Sequence, residues 1–407
     1  MIKSNERVHQ EHVLWGNKQF KLLKGAIIYG ANASGKSNLI DAIRFAQNFI
    51  IGGWKNKGDI NPQQFLLDEK SVSLDTYFEF EYIINSEAFS YGFIISKKEV
   101  VEEWLCKINK NESVDDLFLY TRKGNEFEIG EYFQKQEKYE LAQRFEFVKN
   151  NELFLGKSLE LNTKLLEKHI NWFKSMQIIK PTSKPITIVP NLQNGKFKKF
   201  LLSLLKSCDT GIEGIKRKLD DIKTLNLPSD LIADLMSSLD NNEAAVVSEN
   251  IGNHIVVVKY KGELKALSLQ FIHKDVNGNE KIFRLSQESD GTKRLVDLSV
   301  ALFADNLNVL IIDELDRSLH PALTQFLTKS FIKNNDKQLI ITTHETSLLN
   351  KNWLRRDEVW FVNKEKSSGE SKLKPLSDYK QRYDKELRKA YLDGRFHGVP
   401  VLGERAW

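Results

Sequence analysis

The chain reads as an α/β protein with a mixed sheet, an antiparallel β layer and an inserted, mainly helical lobe. Three observations lead there. Short apolar runs alternate with helical patterns near both ends of the chain, strand signals cluster after the first helix, and a Lys-, Glu- and Leu-rich middle keeps helical spacing. Strand–helix alternation is what a parallel sheet requires, because each crossover between parallel neighbours takes about a dozen residues or more.

After a short polar lead, residues 25–29 (GAIIY) form a brief apolar strand that ends at Gly30. Residues 36–50 follow with helical spacing, and Leu39, Ile40, Ile43, Phe45 and Ala46 supply the buried side. Residues 72–84, 91–96, 104–108 and 117–122 are strand-like without intervening helices, so they predict an antiparallel layer. The character changes near Glu131. From there to about Asn250 the spacing is helical, broken at Pro181, Pro185, Pro190 and Pro228, and its apolar stripes read as core.

Strands resume at 254–260 and 267–273. Between them and the next helix, residues 276–279 (VNGN) predict a hairpin turn, since Asn-Gly tolerates the positive φ a tight turn needs. A helix over 293–304, the strand VLIID, a helix over 321–333 and the strand LIITT restore the α/β alternation. Residues 1–130 and 251–407 are therefore expected to form one domain, with 131–250 inserted into it. No internal repeat or low-complexity stretch interrupts this plan.

Composition narrows the class. Of 407 residues, 41% are hydrophobic and 28% charged, which is ordinary globular usage with ample material for a core. The net charge of +5, from 60 basic and 55 acidic residues, neither demands nor excludes nucleic acid. The two cysteines, Cys106 and Cys208, stand far apart outside any CxxC pattern, which fits a reducing cytoplasm without a disulfide framework. The polar opening MIKSNERVHQEH is no signal peptide, and no apolar run approaches the ~20 residues that span a bilayer. No membrane association is expected.

Four motifs carry chemistry. Gly30-Ala31-Asn32-Ala33-Ser34-Gly35-Lys36-Ser37 matches GxxxxGK[ST], and it sits between a short strand and a helix as that motif requires. Its glycines let backbone N–H groups close around a β-phosphate, the helix N-terminus adds a favourable dipole, Lys36 reaches the β/γ-phosphates, and Ser37 ligates Mg²⁺. Gly30, Asn32, Ala33, Ser34, Gly35, Lys36, Ser37 and Asn38 are the expected nucleotide contacts. Asp313 and Glu314 end an apolar strand. Asp313 fits a Mg²⁺-linked acid, and Glu314 fits a general base or water-positioner.

His344 ends the next strand, at the sheet edge where ligands bind in open α/β folds. Alone it would more often be a structural histidine; there it is expected to contact a γ-phosphate. Residues 288–292 (ESDGT) open a helix. By themselves they are as well explained by a cap from Ser289 or Asp290 as by a phosphate site.

These elements in this order resemble the ABC ATPase superfamily. The resemblance implies ATP and Mg²⁺, a head-to-tail homodimer or higher even oligomer, and ESDGT in place of the signature loop. Ser289 and Gly291 would then face the γ-phosphate of ATP held by the opposite subunit. Residues 315–321 (LDRSLHP) look like the D-loop, with His320 where transporters carry Asp. His344 matches the switch histidine, and Gln63 or Gln64 is the Q-loop candidate.

More narrowly, YGANASGKSNL, ESDGTKRL, DELDRSLHP and YLDGRFHGVPVL resemble bacterial AAA-type ATP-binding proteins related to the overcoming-lysogenisation-defect and abortive-infection ATPases. The likeness covers the first fifty residues and roughly 255 to 402. It implies an anti-phage defence ATPase that senses infection or DNA and controls a toxic effector such as a nuclease. With no room for a Toprim nuclease domain after the core, the effector is expected on a separate chain. Relatives begin with strands well upstream of the P-loop. Only 24 residues precede Gly25 here, so part of that layer is expected to be absent.

Other ATPase classes fit less well. The alternative is a DNA-repair or chromosome-structure ATPase of the SMC/RecF kind, although SMC and Rad-fifty proteins need long heptad arms, which the proline-containing middle lacks. A transporter motor is disfavoured by the signature and the extra lobe. His9 and His12 are spaced HxxH without a Cys or Glu partner, so an exposed polar segment is expected rather than a metal site. Lys196, Lys198 and Lys199 could meet nucleic-acid phosphates, against the plainer reading of a solvated helix face. The charged tail over 380–395 is expected to be a surface helix.

Overall fold

The computed structural model describes residues 4, 7–15, 20–53, 60, 62, 64–109, 115–183, 194–225, 227–240, 244–249, 253–379 and 387–396. Packing divides the chain into two compact units. One comprises residues 1–181, 306–315 and 325–407, and the other residues 182–305 and 316–324. Among the described residues no helix is long and apolar enough to cross a membrane.

The first unit opens with an antiparallel pair, β1 (Val13–Trp15) and β2 (Lys21–Leu23), followed by β3 (Gly25–Gly30) and α1 (Lys36–Gly52). After the short α2 (Glu69–Val72), five strands form an antiparallel meander: β4 (Thr76–Ile84), β5 (Glu87–Ile95), β6 (Val100–Lys107), β7 (Leu117–Lys123) and β8 (Glu126–Ile129). α3 (Lys135–Phe145), α4 (Phe154–Lys157), α5 (Glu167–Lys174) and β9 (Met176–Ile179) follow.

The second unit holds α6 (Gly195–Ser207), β10 (Gly214–Asp221), α7 (Ser229–Ser238), β11 (Ala244–Glu249), β12 (Asn253–Tyr260), β13 (Glu263–Lys274), β14 (Glu280–Arg284) and α8 (Asp290–Phe303). The chain continues with β15 (Val309–Ile312), α9 (Pro321–Asn334), β16 (Gln338–Thr342), β17 (Val359–Lys364), β18 (Ser371–Pro375) and α10 (Leu387–Leu392).

A six-stranded sheet in the order β18-β17-β3-β16-β15-β9 organises the first unit. Only β18 is antiparallel. Its central strands read as continuous apolar runs because both faces are covered: every residue of β3 and β15 is buried. The edge strands of the meander, β4 and β8, instead alternate. In β4 the side chains of Phe78, Phe80 and Tyr82 turn inward while Tyr77, Glu79 and Glu81 are exposed. The inward faces meet α1 and α5 in an aromatic core, with Phe49 5.7 Å from Phe93 and Tyr82 stacked 4.6 Å from Trp172.

In the second unit β10-β13-β12-β11 form an antiparallel sheet with β14 added on β13. The Asn-Gly turn joins β13 to β14, with Gly278 at φ 80° and Asp275 Oδ1 accepting from the N–H groups of Asn277 and Asn279. α6 packs on α8 through Phe197 and Phe303, 5.2 Å apart.

Helices predominate among the described residues of 131–250, but β9, β10 and β11 run through the same stretch. The packing boundary also falls at residue 181 rather than 131, because α3, α4 and α5 complete the aromatic core of the first unit. The strand β10 (GIKRKLDD) hides its identity by exposing Lys216, Arg217, Lys218 and Asp221. The tail differs from a surface helix where it is described: Leu387, Ala390 and Tyr391 of α10 are buried, and Phe396 stacks 4.8 Å from Phe361. Residues 380–386 lie outside the described residues. Cys106 and Cys208 are both buried and free.

One buried carboxylate ties the meander to α1. Glu103 Oε1 accepts from Tyr91 Oη and Tyr120 Oη at 2.9 Å and from Leu155 N at 3.0 Å, while Oε2 accepts from Phe154 N at 2.8 Å. That anchors the start of α4, whose Gly156 approaches α1 so closely that a Cβ would lie 2.3 Å from Ile50 O. Glu103→Leu strands four donors in the core. It should lower unfolding free energy by about 3 kcal/mol or more in a denaturant titration; a loss below about 1 kcal/mol would contradict this role.

Candidate active site

The P-loop follows β3 and the site is built outward from it. Ala33 (φ 60°) and Gly35 (φ 104°) both take left-handed backbone, which turns the loop sharply into α1. At Gly30 a Cβ would lie 2.5 Å from Ser34 Oγ and 2.8 Å from Val362 O; at Gly35 it would lie 2.5 Å from Ser371 Oγ. Only glycine fits either place. Lys36 is buried, and its ammonium donates to Gly30 O at 2.8 Å and Ala31 O at 3.2 Å, across the mouth of the loop. Ser34 is buried too, and its Oγ has no hydrogen-bond partner. Ser37 is half-buried in the first turn of α1, whereas Asn32 and Asn38 are exposed.

The parallel order β3-β16-β15 brings three motifs to one edge. β3 ends at Gly30, β16 at Thr342 and β15 at Ile312, so the P-loop, His344 and Asp313 all follow C-terminal strand ends. With neighbouring strands ~4.8 Å apart, Asp313 stands two strands, about 10 Å, from the P-loop strand. Asp313 is 1% exposed, and Thr342 Oγ1 donates to its Oδ1 at 2.5 Å. The same Oγ1 accepts from Glu314 N at 2.8 Å, where Glu314 holds a left-handed φ of 50°. A non-glycine residue in that region is strained, and here the threonine hydroxyl fixes it. Glu314 is half-buried and His344 exposed.

Thr342 was not legible as a site residue, although a hydroxyl at the end of an apolar strand was its signal. Ser371 gave none. It reaches the P-loop from β18, and its Oγ donates to Ser34 O at 2.7 Å. A cleft of about 1010 Å³ borders Ala33, Gly35 and Asn38 between α1, β4 and the β17–β18 hairpin, and Gln64 lines it. Gln63 lies outside the described residues.

The second unit carries ESDGT. Ser289 is the N-cap of α8: its Oγ accepts from Thr292 N at 3.1 Å and lies 2.9 Å from Thr292 Oγ1. A Cβ on Gly291 would lie 3.0 Å from Ser318 O, in the D-loop-like segment, where Ser318 has a φ of 61°. His320 Nδ1 accepts from Ala322 N at 3.2 Å at the start of α9. Lys196, Lys198 and Lys199 are exposed on α6, opposite the buried Phe197, Leu201 and Leu205.

The HxxH segment departs from the sequence expectation. His12 is buried rather than exposed, because its Nδ1 lies 3.0 Å from Glu358 Oε1, a partner 346 residues away that no local pattern reveals. Glu11 also stands beside both histidines.

Replacing Thr342 by Val keeps shape and removes the hydroxyl from Asp313 and from Glu314 N. If Asp313 holds Mg²⁺ as its motif leads one to expect, ATP turnover should fall by about 10-fold or more with a raised Mg²⁺ requirement, as when a group that orients a metal ligand is removed. Thr342→Ser should restore most of it. Unchanged turnover and Mg²⁺ dependence in the Val variant would contradict the positioning role.

The model of a family described as an AAA domain, putative AbiEii toxin, type IV TA system, matches residues 26–350. No curated protein matches the chain. Among solved structures, the SMC head domain from Thermotoga maritima is 14% identical, with 89% of this chain and 97% of that one covered and a TM-score of 0.32. The Smc head domain with an extended coiled coil, bound to the C-terminal domain of ScpA and derived from Pyrococcus furiosus, is 15% identical, with coverages of 95% and 98% and a TM-score of 0.34. Likeness at that level says nothing of activity or partners. The family match is of another order, since it runs from the P-loop strand past His344. This chain is a P-loop ATPase-fold protein belonging to the AAA-domain family described as the putative AbiEii toxin of a type IV toxin–antitoxin system.

Proposed function

We propose that the chain hydrolyses ATP in a head-to-tail pair of copies and that this cycle controls a separate toxic effector in anti-phage defence. The observation that carries the hydrolytic part is the buried Asp313, held by Thr342 at the strand edge it shares with the P-loop. Among the described residues no cation is paired with its carboxylate. A buried carboxylate in that state, with the partnerless Ser34 Oγ across the edge, suits an ion and a phosphate.

Each residue then has a role. Ser37 and Asp313 would hold Mg²⁺, which neutralises phosphate charge when bound. Lys36 releases its carbonyl partners to meet the β/γ-phosphates, backbone N–H groups of Ala33 to Ser37 surround them, and Asn32 and Asn38 flank the entrance. Glu314, fixed in its strained conformation, accepts the proton of the attacking water, and His344 contacts the γ-phosphate. The cleft beside Ala33 and Asn38 has room for the base and ribose. Ser289 and Gly291 complete the site of the other copy, so ATP binding draws two copies together and hydrolysis releases them.

Control of an effector rests on the family description and on the resemblance to abortive-infection ATPases. The exposed lysines of α6 offer a surface for nucleic acid, through which infection could be sensed.

Sharing of the site is testable with two dead proteins. Ser289→Arg places a bulky cation where closure should occur, and Lys36→Ala removes a copy's own phosphate grip. In a mixed pair one site carries both defects, while the other has an intact Lys36 and an intact Ser289. Mixing should restore ATPase activity to roughly a quarter of wild type if copies exchange at random and sites turn over independently. Strict coupling of the two sites would mask that rescue, so an ATP-dependent crosslink between Ser289→Cys of one copy and a cysteine placed at an exposed position near Ser34 of another covers the case. If neither rescue nor crosslink appears, Ser289 is a helix cap and nothing more.

A further inference from the structure

His9, Glu11 and His12 form a side-chain cluster that the nucleotide chemistry does not use, and we propose that it binds a divalent zinc-type ion. One ligand atom from each residue lies within 4.8 Å of the other two. His9 Nδ1 is 3.3 Å from Glu11 Oε1, and His12 Nε2 is 3.9 Å from the same oxygen. Ligands each ~2.05 Å from a tetrahedral ion are about 3.3 Å apart, so the widest gap must close by about 1.5 Å. Glu11 is exposed and His9 half-buried, so both can move to do so.

The evidence that this is a ligand set rather than three neighbours lies on the far side of His12. Its Nδ1 is 3.0 Å and 3.1 Å from the two oxygens of Glu358, which is fully buried. A carboxylate there can accept the Nδ1–H, which would free the Nε2 lone pair on the Glu11 side for an ion. Metal-bound histidines are oriented in this way, by a carboxylate on the other ring nitrogen. Glu358 is itself held, since its Oε2 accepts from Arg355 N at 2.9 Å. His9 takes a left-handed φ of 46°, which turns the chain so that its ring stacks 5.3 Å from that of His12.

The surroundings give the ion a structural task. Asp357 accepts from Ser4 N at 2.8 Å and Ser4 Oγ at 2.7 Å, and the Arg355 guanidinium donates to Val8 O. The turn before β17 thus already grips the N-terminal segment, and an ion on His9, Glu11 and His12 would add a further cross-link. The site lies at the opening ends of β3 and β17, whereas the P-loop lies at the far end of β3, six residues and about 20 Å away. It is therefore a different site from the one formed by Ser37 and Asp313. Two imidazoles and one carboxylate suit Zn²⁺ better than Mg²⁺.

The test uses the full chain freed of metal with a chelator. Zn²⁺ is titrated against a chromophoric competitor, Co²⁺ is followed by visible absorption, and thermal melting is recorded with and without Zn²⁺. The expected result is one Zn²⁺ per chain, a raised melting temperature, and at least about a 10-fold loss of affinity in both His9→Ala and Glu11→Ala. Both residues reach solvent, so these variants keep the fold; a melting temperature near that of the metal-free parent checks it. Absence of Zn²⁺ binding by the parent overturns the proposal. So does binding that both variants retain undiminished, since the ion would then sit elsewhere.

Discussion

A charge buried at the end of a parallel strand has to be met by hydrogen bonds or by a cation, and the site is organised around that constraint at Asp313. Its carboxylate is almost wholly withdrawn from water, and one threonine hydroxyl reaches it. That hydroxyl also takes the N–H of Glu314, so the acid and its neighbour are positioned by a single atom of the adjacent strand. The register between β15 and β16 decides whether the atom arrives, and buried apolar residues on both strands fix the register. Strand order, core composition and site chemistry are in this sense one requirement.

The P-loop is governed by space rather than charge. Gly30 and Gly35 are pressed by Ser34, Val362 and Ser371, so the loop is clasped by β17 and β18 as well as set by its own turn. The meander supports α1 from the other side through an aromatic core, to which Glu103 anchors α4. Polar groups buried on this scale are costly unless satisfied, and Glu103 meets four donors.

Much of this was legible in the sequence, for identifiable reasons. GxxxxGKS, DE after an apolar strand, and a histidine after the next strand are local patterns whose chemistry demands their spacing. The meander was legible as strand-like runs without intervening helices. What stayed hidden depends on distance. Thr342 matters because of which strand lies beside it, Ser371 because a hairpin folds over the P-loop, and His12 because of Glu358. The limits of the middle segment do not follow from its helical spacing, because α3 to α5 share their core with β4 to β8 and because β10 exposes four charged residues. Ser289 behaves locally as the cap its sequence allows, and the second role proposed for it would be a property of two copies.

The central claim is that the edge formed by β3, β16 and β15 hydrolyses ATP with Glu314 as the base. Steady-state ATPase rate and ATP affinity of Glu314→Gln test it most directly, since glutamine keeps size and hydrogen bonding but cannot accept the proton. ATP should bind with affinity close to wild type while turnover falls by about 100-fold or more. Turnover within a factor of about two of wild type would contradict the account.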